Sequence, residues 1–221
     1  MNRTSLSHQA YKKIKRQIIS LELAPGSVID EARLREDLNL GRTPIREALL
    51  RLSLEKLVVI VPRRGMFVSD IGLTSLQQLF EVRVITEGMA ARYAAQRGTE
   101  AQWQEMKEIL DSAPDPKDGV VPNDLLMEID EACHQIIYEA ADNEFLTDIL
   151  ITNYALSQRL WQYFLNKIQY MQSAILEHQL ILEALIARDD SRAARLMEKH
   201  INTFQEELQS VILGSYDRVP N

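Results

Sequence analysis

The N-terminal part of the chain predicts three short helices from the spacing of its apolar residues. The first covers residues 5–22, where isoleucines recur at helical spacing among basic residues. The sequence APGS at 24–27 ends this helix as a turn. The second helix follows in IDEARLREDLNLG (residues 29–41), with Asp30 as its cap and Gly41 just beyond its end.

The third helix and the segment after it complete a recognisable pattern. The helix is predicted over residues 42–56, and its inward stripe contains Ile45, Leu49, Leu50 and Leu52. LVVIV (57–61) and MFVSD (66–70) then predict two short strands around PRRG, with Gly65 at the hairpin tip. Three small helices followed by a hairpin, with a glycine in the short turn before the third helix, predict a winged helix-turn-helix.

Beyond the stretch DIGL, the pattern is helical and no strand is predicted. TSLQ (74–77) and TEAQ (99–102) match the capping-box pattern and predict two helix starts. Four further amphipathic segments predict helices over residues 123–141, 144–165, 172–187 and 191–212. Three prolines and a glycine predict a loop over residues 111–124.

These elements define a mainly α fold with two domains. We expect a winged helix-turn-helix DNA-binding domain in residues 1–71. An all-helical domain of about six helices is expected in residues 72–221.

The formal net charge of −7 conceals an asymmetry between the two parts of the chain. Residues 1–70 contain 13 Lys and Arg against 8 Asp and Glu, whereas residues 71–221 contain 12 against 24. This asymmetry predicts a part that binds a polyanion, joined to an acidic part with a different task.

The remaining composition restricts the compartment. No apolar run is long enough to cross a membrane, and the N-terminus lacks the apolar core of a signal peptide. Cys133 is the single cysteine, so no intrachain disulfide can form. We therefore expect a cytoplasmic protein with no membrane partner.

The opening of the third helix, GRTPIREAL, predicts a DNA-reading surface. Arg42 and Arg46 are four residues apart and so share one face, away from Leu49 and Leu52. Arginine can bind guanine O6 and N7, and Thr43 can contact a phosphate or a thymine methyl group. The N-terminus of a recognition helix is the part that reaches base edges in the major groove.

Further positive charge lies on the neighbouring elements. Arg33 and Arg35 are on the second helix, and Arg63 and Arg64 lie beside Gly65 at the wing tip. The alternative is a solvated basic face with no ligand, which is the usual meaning of an isolated arginine pair. The combination of helix order, arginine pair, wing and local charge favours DNA binding.

Three of the four histidines predict a metal site in the helical part. His134, His178 and His200 lie on separate predicted helices, each among apolar residues, and Asp130 precedes His134 by one helical turn. Three imidazoles and a carboxylate in a bundle core suit a first-row transition metal. The alternatives are hydrogen-bonded core histidines and a local Asp130–His134 ion pair, and spacing alone does not decide between them.

The N-terminal motifs resemble a known family. LAPGSVIDEARLREDLNLGRTPIREALLRL, with the hairpin that follows it, is similar to the DNA-binding domain of GntR-family bacterial transcription regulators over residues 8–71. The resemblance implies that Arg42, Thr43 and Arg46 contact DNA and that Gly65 forms the wing tip. Gly41 departs from the family pattern, which has Ser or Thr there, and it brings no hydroxyl to a phosphate.

Residues 74–212 resemble the all-helical FCD ligand-binding domain of the FadR-like GntR subfamily. The matching stretches are EVRVITEGMAARYAA, DEACHQIIYEAADNEFL and LEHQLILEALIARDDSRAARLMEKHI. The resemblance implies a metal bound by Asp130, His134, His178 and His200. Zinc is the first choice, with nickel, cobalt or manganese as alternatives. Cys133 replaces the family's aromatic residue and is interpreted as a buried bystander thiol rather than a ligand.

A small carboxylate is the expected effector, because open coordination positions on such a metal accept a carboxylate. Arg83 is the first candidate partner for it, and an ion pair between Arg83 and Glu87 is the alternative. Asn153 and Arg159 are weaker candidates on another helix.

The favoured function is a ligand-responsive transcription regulator, preferably a repressor, that binds a pseudo-palindromic operator on double-stranded DNA as a homodimer. The competing function is a metal-dependent hydrolytic enzyme in the helical domain, with Glu87 or Glu131 as general base. No HExxH motif or activated nucleophile supports catalysis. A purely structural metal is the third possibility.

Overall fold

The computed structural model describes residues 5–114, 122–164 and 171–216. The chain divides into two compact units: residues 1–76 with 155–163, and residues 77–154 with 164–221. Each unit has its own set of buried apolar side chains.

The first unit begins with the three predicted helices: α1 (Leu6–Ile19), α2 (Glu31–Leu38) and α3 (Arg42–Leu54). Asp30 caps α2 as predicted, because its side chain accepts from the N–H groups of Ala32 and Arg33. The predicted ends of α1 and α3 were two to three residues too late. Leu21 and Lys56 have φ angles of 63° and 60°, left-handed conformations that do not continue an α-helix.

The predicted hairpin is present as β1 (Val58–Val61) and β2 (Gly65–Val68), which pair antiparallel. Val58 lies opposite Val68, and Val61 lies opposite Gly65. Gly65 has a φ angle of 108°, which is a conformation that residues with a Cβ rarely adopt. This hairpin is the wing of a winged helix-turn-helix.

The core of the first unit forms where α1 packs against α3. Ile14 and Ile18 of α1 and Ile45, Leu49 and Leu52 of α3 are completely buried. The predicted stripe of α3 was wrong at Leu50, which is 50% exposed. Ala48 takes the inward position, because residues 45, 48, 49 and 52 follow the helical repeat more closely than residue 50 does.

Six helices follow in the described ranges, in agreement with the prediction: α4 (Leu73–Arg97), α5 (Glu100–Asp111), α6 (Asn123–Ala140), α7 (Glu144–Phe164), α8 (Met171–Ile186) and α9 (Asp190–Tyr216). Most of the predicted loop over residues 111–124, and the end of the predicted helix at residue 165, lie outside the described residues. Within the described chain, none of the helices has the length and apolarity that crossing a membrane requires.

The two predicted capping boxes have different outcomes. Thr99 caps α5 reciprocally with Gln102, as predicted. The prediction at residues 74–77 was wrong, because α4 begins at Leu73. The N–H of Leu76 donates to the carbonyl of Gly72, so the backbone of residue 74 already lies within the first turn of the helix.

Candidate functional site

The start of α3 exposes the residues that the sequence assigned to DNA. Arg42, Thr43 and Arg46 are all exposed, whereas Leu49 is completely buried. Gly41 precedes the helix in an extended conformation and makes no side-chain capping hydrogen bond. The first N–H groups of α3 therefore have no side-chain cap from Gly41, and helix termini of this kind favour anions.

Three further arginines, Arg33, Arg35 and Arg64, are exposed as well, and so is the wing-tip glycine, Gly65. Two of the arginines approach carboxylates on α2. Arg33 Nε lies 3.5 Å from Asp37 Oδ2, and Arg46 Nε lies 3.9 Å from Glu31 Oε2. Ion pairs between such exposed side chains are weak, so they do not prevent either arginine from binding a phosphate or a base.

In the second unit, three helices bring together the four residues that the sequence assigned to a metal. Asp130 and His134 come from α6, His178 from α8 and His200 from α9. One ligand atom from each residue lies within 4.8 Å of the others. The Asp130–His134 face of α6 points inward because Ile137, one turn or less further along, is completely buried.

The distances within this cluster exclude a simple local ion pair. The Nε2 atoms of His134 and His200 are 3.3 Å apart. Asp130 lies near all three rings: Oδ2 is 3.8 Å from His134 Nε2, and Oδ1 is 3.6 Å from both His200 Nε2 and His178 Nδ1. The carboxylate therefore belongs to a four-membered group rather than to one histidine.

Each ligand also has a hydrogen-bond partner outside the cluster. The Nδ1 atoms of the histidines lie 3.0 Å from Glu87 Oε2 for His134, 2.9 Å from Glu177 Oε2 for His200, and 3.0 Å from the Ala174 carbonyl for His178. The hydroxyl of Tyr154 donates to Asp130 Oδ2 at 2.8 Å. Metal-binding histidines and carboxylates commonly have such partners.

The pKa shifts of His178 and Asp130 favour the protonation states that a metal needs. Burial, with His200 nearby, lowers the pKa of His178 to about 3, so its ring is neutral at physiological pH. Burial alone raises the pKa of Asp130, but the three histidines and Tyr154 outweigh it and hold that pKa below its ordinary value. Neutral imidazoles and an ionised carboxylate are the forms that bind metals.

The donor set fits a divalent transition metal. His134, His178 and His200 are 1%, 0% and 3% exposed, so water has little access to them. The Nε2 of His178 is buried without a hydrogen-bond partner in the described chain. Buried polar atoms without partners are rare and costly, and a bound cation is one of the few ligands that accounts for one among imidazoles.

Arg83 is in the ion pair with Glu87 that the sequence offered as the alternative to effector binding. Its Nε and Nη2 donate to Glu87 Oε1 at 3.1 and 2.6 Å, and the hydroxyl of Tyr138 donates to the same oxygen at 2.8 Å. Burial lowers the pKa of Arg83, but Glu87 outweighs this effect and the pKa is raised. Arg83 therefore belongs to the network that holds His134.

Among the described residues, no hydrogen bond or ion pair joins Asn153 or Arg159 to the four-residue cluster. Asn153 lies on α7, where its Nδ2 is buried without a partner in the described chain. Arg159 donates to the backbone carbonyl of Ser69 within the first unit. Burial lowers the pKa of Arg159 to about 10, and Asp70 partly opposes this shift.

Cys133 is a bystander, as interpreted. It is completely buried, and the group of described side chains that could hold a metal does not include it. Burial raises the pKa of its thiol well above the ordinary value, so the thiol stays protonated.

The sequence reasoning missed three residues around the cluster: Tyr138, Tyr154 and Glu177. Tyr138 lies one turn after His134 on α6, so helical spacing was an available signal. Glu177 directly precedes His178 yet contacts His200, and Tyr154 reaches Asp130 from another helix. No local pattern indicates either of these contacts.

Comparisons with known proteins agree with this arrangement. Residues 6–68 match the model of bacterial regulatory proteins of the gntR family, and residues 78–203 match the FCD domain. The second match alone covers more than half of the chain. The two matched ranges lie within the two domains that the sequence predicted.

Curated relatives are similar along nearly their whole length. The transcriptional repressor RspR of Escherichia coli K12 is 25% identical over 206 residues, covering 93% of this chain and 90% of the relative. The Nta operon transcriptional regulator of Aminobacter aminovorans is 28% identical, covering 91% and 93%. The repressor GlaR of E. coli K12 is 27% identical, covering 96% and 100%.

Solved structures have the same fold. E. coli McbR/YncC superimposes with a TM-score of 0.81 at 22% identity, covering 94% of this chain and 98% of that one. A GntR protein from Rhodococcus sp. RHA1 gives a TM-score of 0.73 at 16% identity. With the two domain matches, these findings show that the chain belongs to the GntR family of bacterial transcription regulators that carry an FCD domain.

Proposed function

We propose that the protein is a repressor whose affinity for a pseudo-palindromic operator is set by a small carboxylate bound at a metal in the FCD domain. The convergence of Asp130, His134, His178 and His200 carries this proposal, because the four side chains form a metal-binding set in the domain that takes the effector. The repressor names of RspR and GlaR support the direction of regulation.

The DNA-binding part of the proposal assigns a role to each exposed group. Arg42 and Arg46 read base edges in the major groove, and Thr43 contacts a phosphate or a thymine methyl group. Arg33, Arg35, Arg64 and the Gly65 wing tip contact the phosphate backbone. Phosphate contacts set affinity and register, whereas base contacts set specificity.

In the effector domain, the four ligands hold a divalent transition metal, with zinc as the first choice. The bound metal supplies a Lewis acid that binds a carboxylate oxygen. Arg83 lies one hydrogen bond from Glu87 and two from His134, so it is placed to respond to an anion arriving near the ligands.

The geometry disfavours Glu87, one of the two general bases considered for the hydrolytic alternative, while the other candidate, Glu131, stays untested. Both oxygens of Glu87 are engaged: Oε1 with Arg83 and Tyr138, and Oε2 with His134. The pKa of Glu87 is held below its ordinary value, because His134 and Arg83 outweigh the effect of burial. A carboxylate in this state is a poor general base.

The proposal is tested by metal analysis combined with operator binding. We expect about one metal ion per chain and specific binding to the DNA upstream of the protein's own gene. Adding citrate, succinate or acetate should weaken that binding by a factor of roughly 5–150, the usual range of allosteric coupling. Treatment with EDTA should abolish the effect of the carboxylate.

Two results would contradict parts of this proposal separately. Protein that binds the operator but never binds metal would exclude the metal site. If the metal-loaded protein binds DNA equally well with and without each carboxylate, the effector assignment is excluded and the metal has a structural role.

The proposed homodimer requires an apolar surface, and α4 offers one. Val82, Ile85 and Met89 share one face of this helix and are 45%, 68% and 40% exposed. We assign this apolar stripe to the contact with a second copy, since two DNA-binding domains are needed for two half-sites.

Glutamate in place of Ile85 is expected to dissociate the dimer. The substitution places a charge in the middle of the apolar stripe, where an isoleucine buried in each subunit contributes about 1.5–3 kcal/mol. Sedimentation velocity of the purified variant measures the shift from dimer to monomer. The control is Ile186→Glu, the same change at an isoleucine that is 57% exposed on α8. An Ile85→Glu variant that remains dimeric would refute the assignment of this stripe.

A further inference from the structure

We propose that Glu87 and Glu177 are positioning residues for the metal: they orient His134 and His200, and their negative charge raises the affinity for a divalent cation. The inference rests on the proposed metal site. It goes beyond the four ligands, because it assigns the affinity of the site to two side chains that do not touch the metal.

The two glutamates determine the tautomer of the rings that they contact. An ionised carboxylate only accepts hydrogen bonds, so Nδ1 carries the proton when it lies 3.0 Å from Glu87 or 2.9 Å from Glu177. Each ring then has its lone pair on Nε2. The glutamates thereby select the form of His134 and His200 that can bind a metal through Nε2.

The lone pairs on the two Nε2 atoms lie close to each other. The Nε2 atoms of His134 and His200 are 3.3 Å apart, and both lie within 3.8 Å of an oxygen of Asp130. Two lone pairs and a carboxylate facing one another at these distances repel unless a cation lies among them. A cation at the centre of these three groups would remove this repulsion.

The carboxylate of Glu87 is held firmly by its hydrogen-bond partners. Its side chain is completely buried, and three donors hold Oε1: Nε and Nη2 of Arg83 and the hydroxyl of Tyr138. Rotation of this carboxylate away from His134 would leave buried donors without partners, which is costly. Glu87 thus fixes the ring of His134 firmly.

Glu177 is the more accessible of the two carboxylates. Its side chain is 18% exposed, and Thr203 donates to its second oxygen at 3.4 Å. The third histidine differs, because His178 donates to the neutral carbonyl of Ala174. Two rings therefore have anionic partners, and the third has a neutral one.

The charges of these groups favour a bound cation. Three carboxylates, those of Asp130, Glu87 and Glu177, lie beside the histidines, and among the described contacts one of them, Glu87, is paired with the guanidinium of Arg83. Carboxylates grouped in a buried site favour a cation among them.

The test measures zinc affinity in Glu177 variants by competition with a chromophoric chelator. Glu177→Ala is expected to weaken zinc binding by about 10–100-fold, the usual effect of removing such a partner. Glu177→Gln keeps the shape and an acceptor oxygen but removes the charge, so its affinity should fall between wild type and Glu177→Ala. The control is Glu183→Gln on the same helix, where an exposed glutamate pairs with Arg192 and the affinity should not change.

Two further measurements separate positioning from folding. The metal-free Glu177 variants should keep the helical circular dichroism spectrum and the cooperative unfolding of the metal-free wild type, while the visible spectrum of the cobalt-loaded variants should shift. Glu87→Gln should weaken zinc binding at least as much as Glu177→Gln. If this variant does not fold, the Glu177 pair still decides.

The outcomes distinguish this inference from the proposed function. Wild-type protein that binds zinc, with Glu177→Ala and Glu177→Gln binding it equally well, would overturn the positioning role and leave the metal site intact. Wild-type protein that binds no zinc would overturn both.

Discussion

Alanine in place of Arg46 is expected to remove specific operator binding while leaving the fold and the metal content unchanged. Arg46 is exposed at the start of α3, and its nearest carboxylate, that of Glu31, is 3.9 Å away, so no core contact is lost. A bidentate contact between arginine and guanine contributes about 1–3 kcal/mol of discrimination. The proposed homodimer would lose two such contacts, which is comparable with the roughly 4–10 kcal/mol that separates specific from non-specific binding.

Fluorescence anisotropy with operator and scrambled DNA at one fixed salt concentration measures this loss. The operator affinity of Arg46→Ala should approach the affinity for the scrambled DNA, which itself should change little. The control is Arg195→Ala, which removes the same charge from an exposed position on α9. An Arg46→Ala variant with wild-type discrimination would refute the assignment of α3 as the recognition helix.

The phosphate contacts should respond differently from the base contacts. Arg33 lies on α2, outside the proposed recognition helix, and its Nε is 3.5 Å from the exposed Asp37, so we assign it to the DNA backbone rather than to a base. Removing Arg33 would weaken binding to operator and to scrambled DNA by the same factor, and it would reduce the salt dependence of binding. The contrast between Arg33 and Arg46 separates a positioning contact from a reading contact.

The helices were predictable because their apolar residues repeat at helical spacing over many residues. Residues that typically cap helices also mark several of their ends. Asp30 and Thr99 cap α2 and α5 by contacts within three residues, which a sequence shows directly. The wrong predictions occurred where a local sequence pattern allowed two assignments, either of the buried face or of the first residue of a helix. Leu50 lies at the edge of the apolar stripe of α3, and Thr74 follows a helix start that Gly72 already provides.

The candidate metal ligands were indicated by a different signal, which is histidine on the buried face of a helix. Asp130 and His134 share a face of α6 through their spacing, but their approach to His178 and His200 depends on how three helices pack. Apolar spacing states which face of each helix is buried and not which faces meet. The sequence could therefore nominate the four residues but could not show that they converge.

The partners of those ligands were beyond local reasoning for the same cause. Glu177 directly precedes His178 in the sequence, yet it lies 2.9 Å from His200, 23 residues away. From the sequence, Arg83 could equally bind an effector or pair with Glu87, and the folded structure shows the pair with Glu87. An effector that competes for Arg83 would act on Glu87 and so on His134, and its effect is limited by its difference in affinity between the two states.

Alanine at both His178 and His200 is expected to abolish metal binding and the stabilisation that the metal provides. Two of the four ligands are lost, and the remaining pair, Asp130 and His134, lies on one helix and forms no enclosed site. Zinc at about 1,000 times its dissociation constant should stabilise the wild-type protein by about 4.1 kcal/mol. For a chain of this length, each kcal/mol of added stability raises the Tm by roughly 2–4 °C.

The decisive quantity is the change in Tm when zinc is added to metal-free protein, because the cavities left by two alanines lower the Tm of the variant regardless of metal. The wild-type Tm should rise with zinc, and that of the double variant should not. His8→Ala is the matched control, since His8 lies on α1 in the first unit and should leave zinc binding intact. A double variant that keeps one zinc ion per chain would refute the ligand set, whereas one that loses zinc but still binds the operator would show that DNA recognition does not itself require the metal.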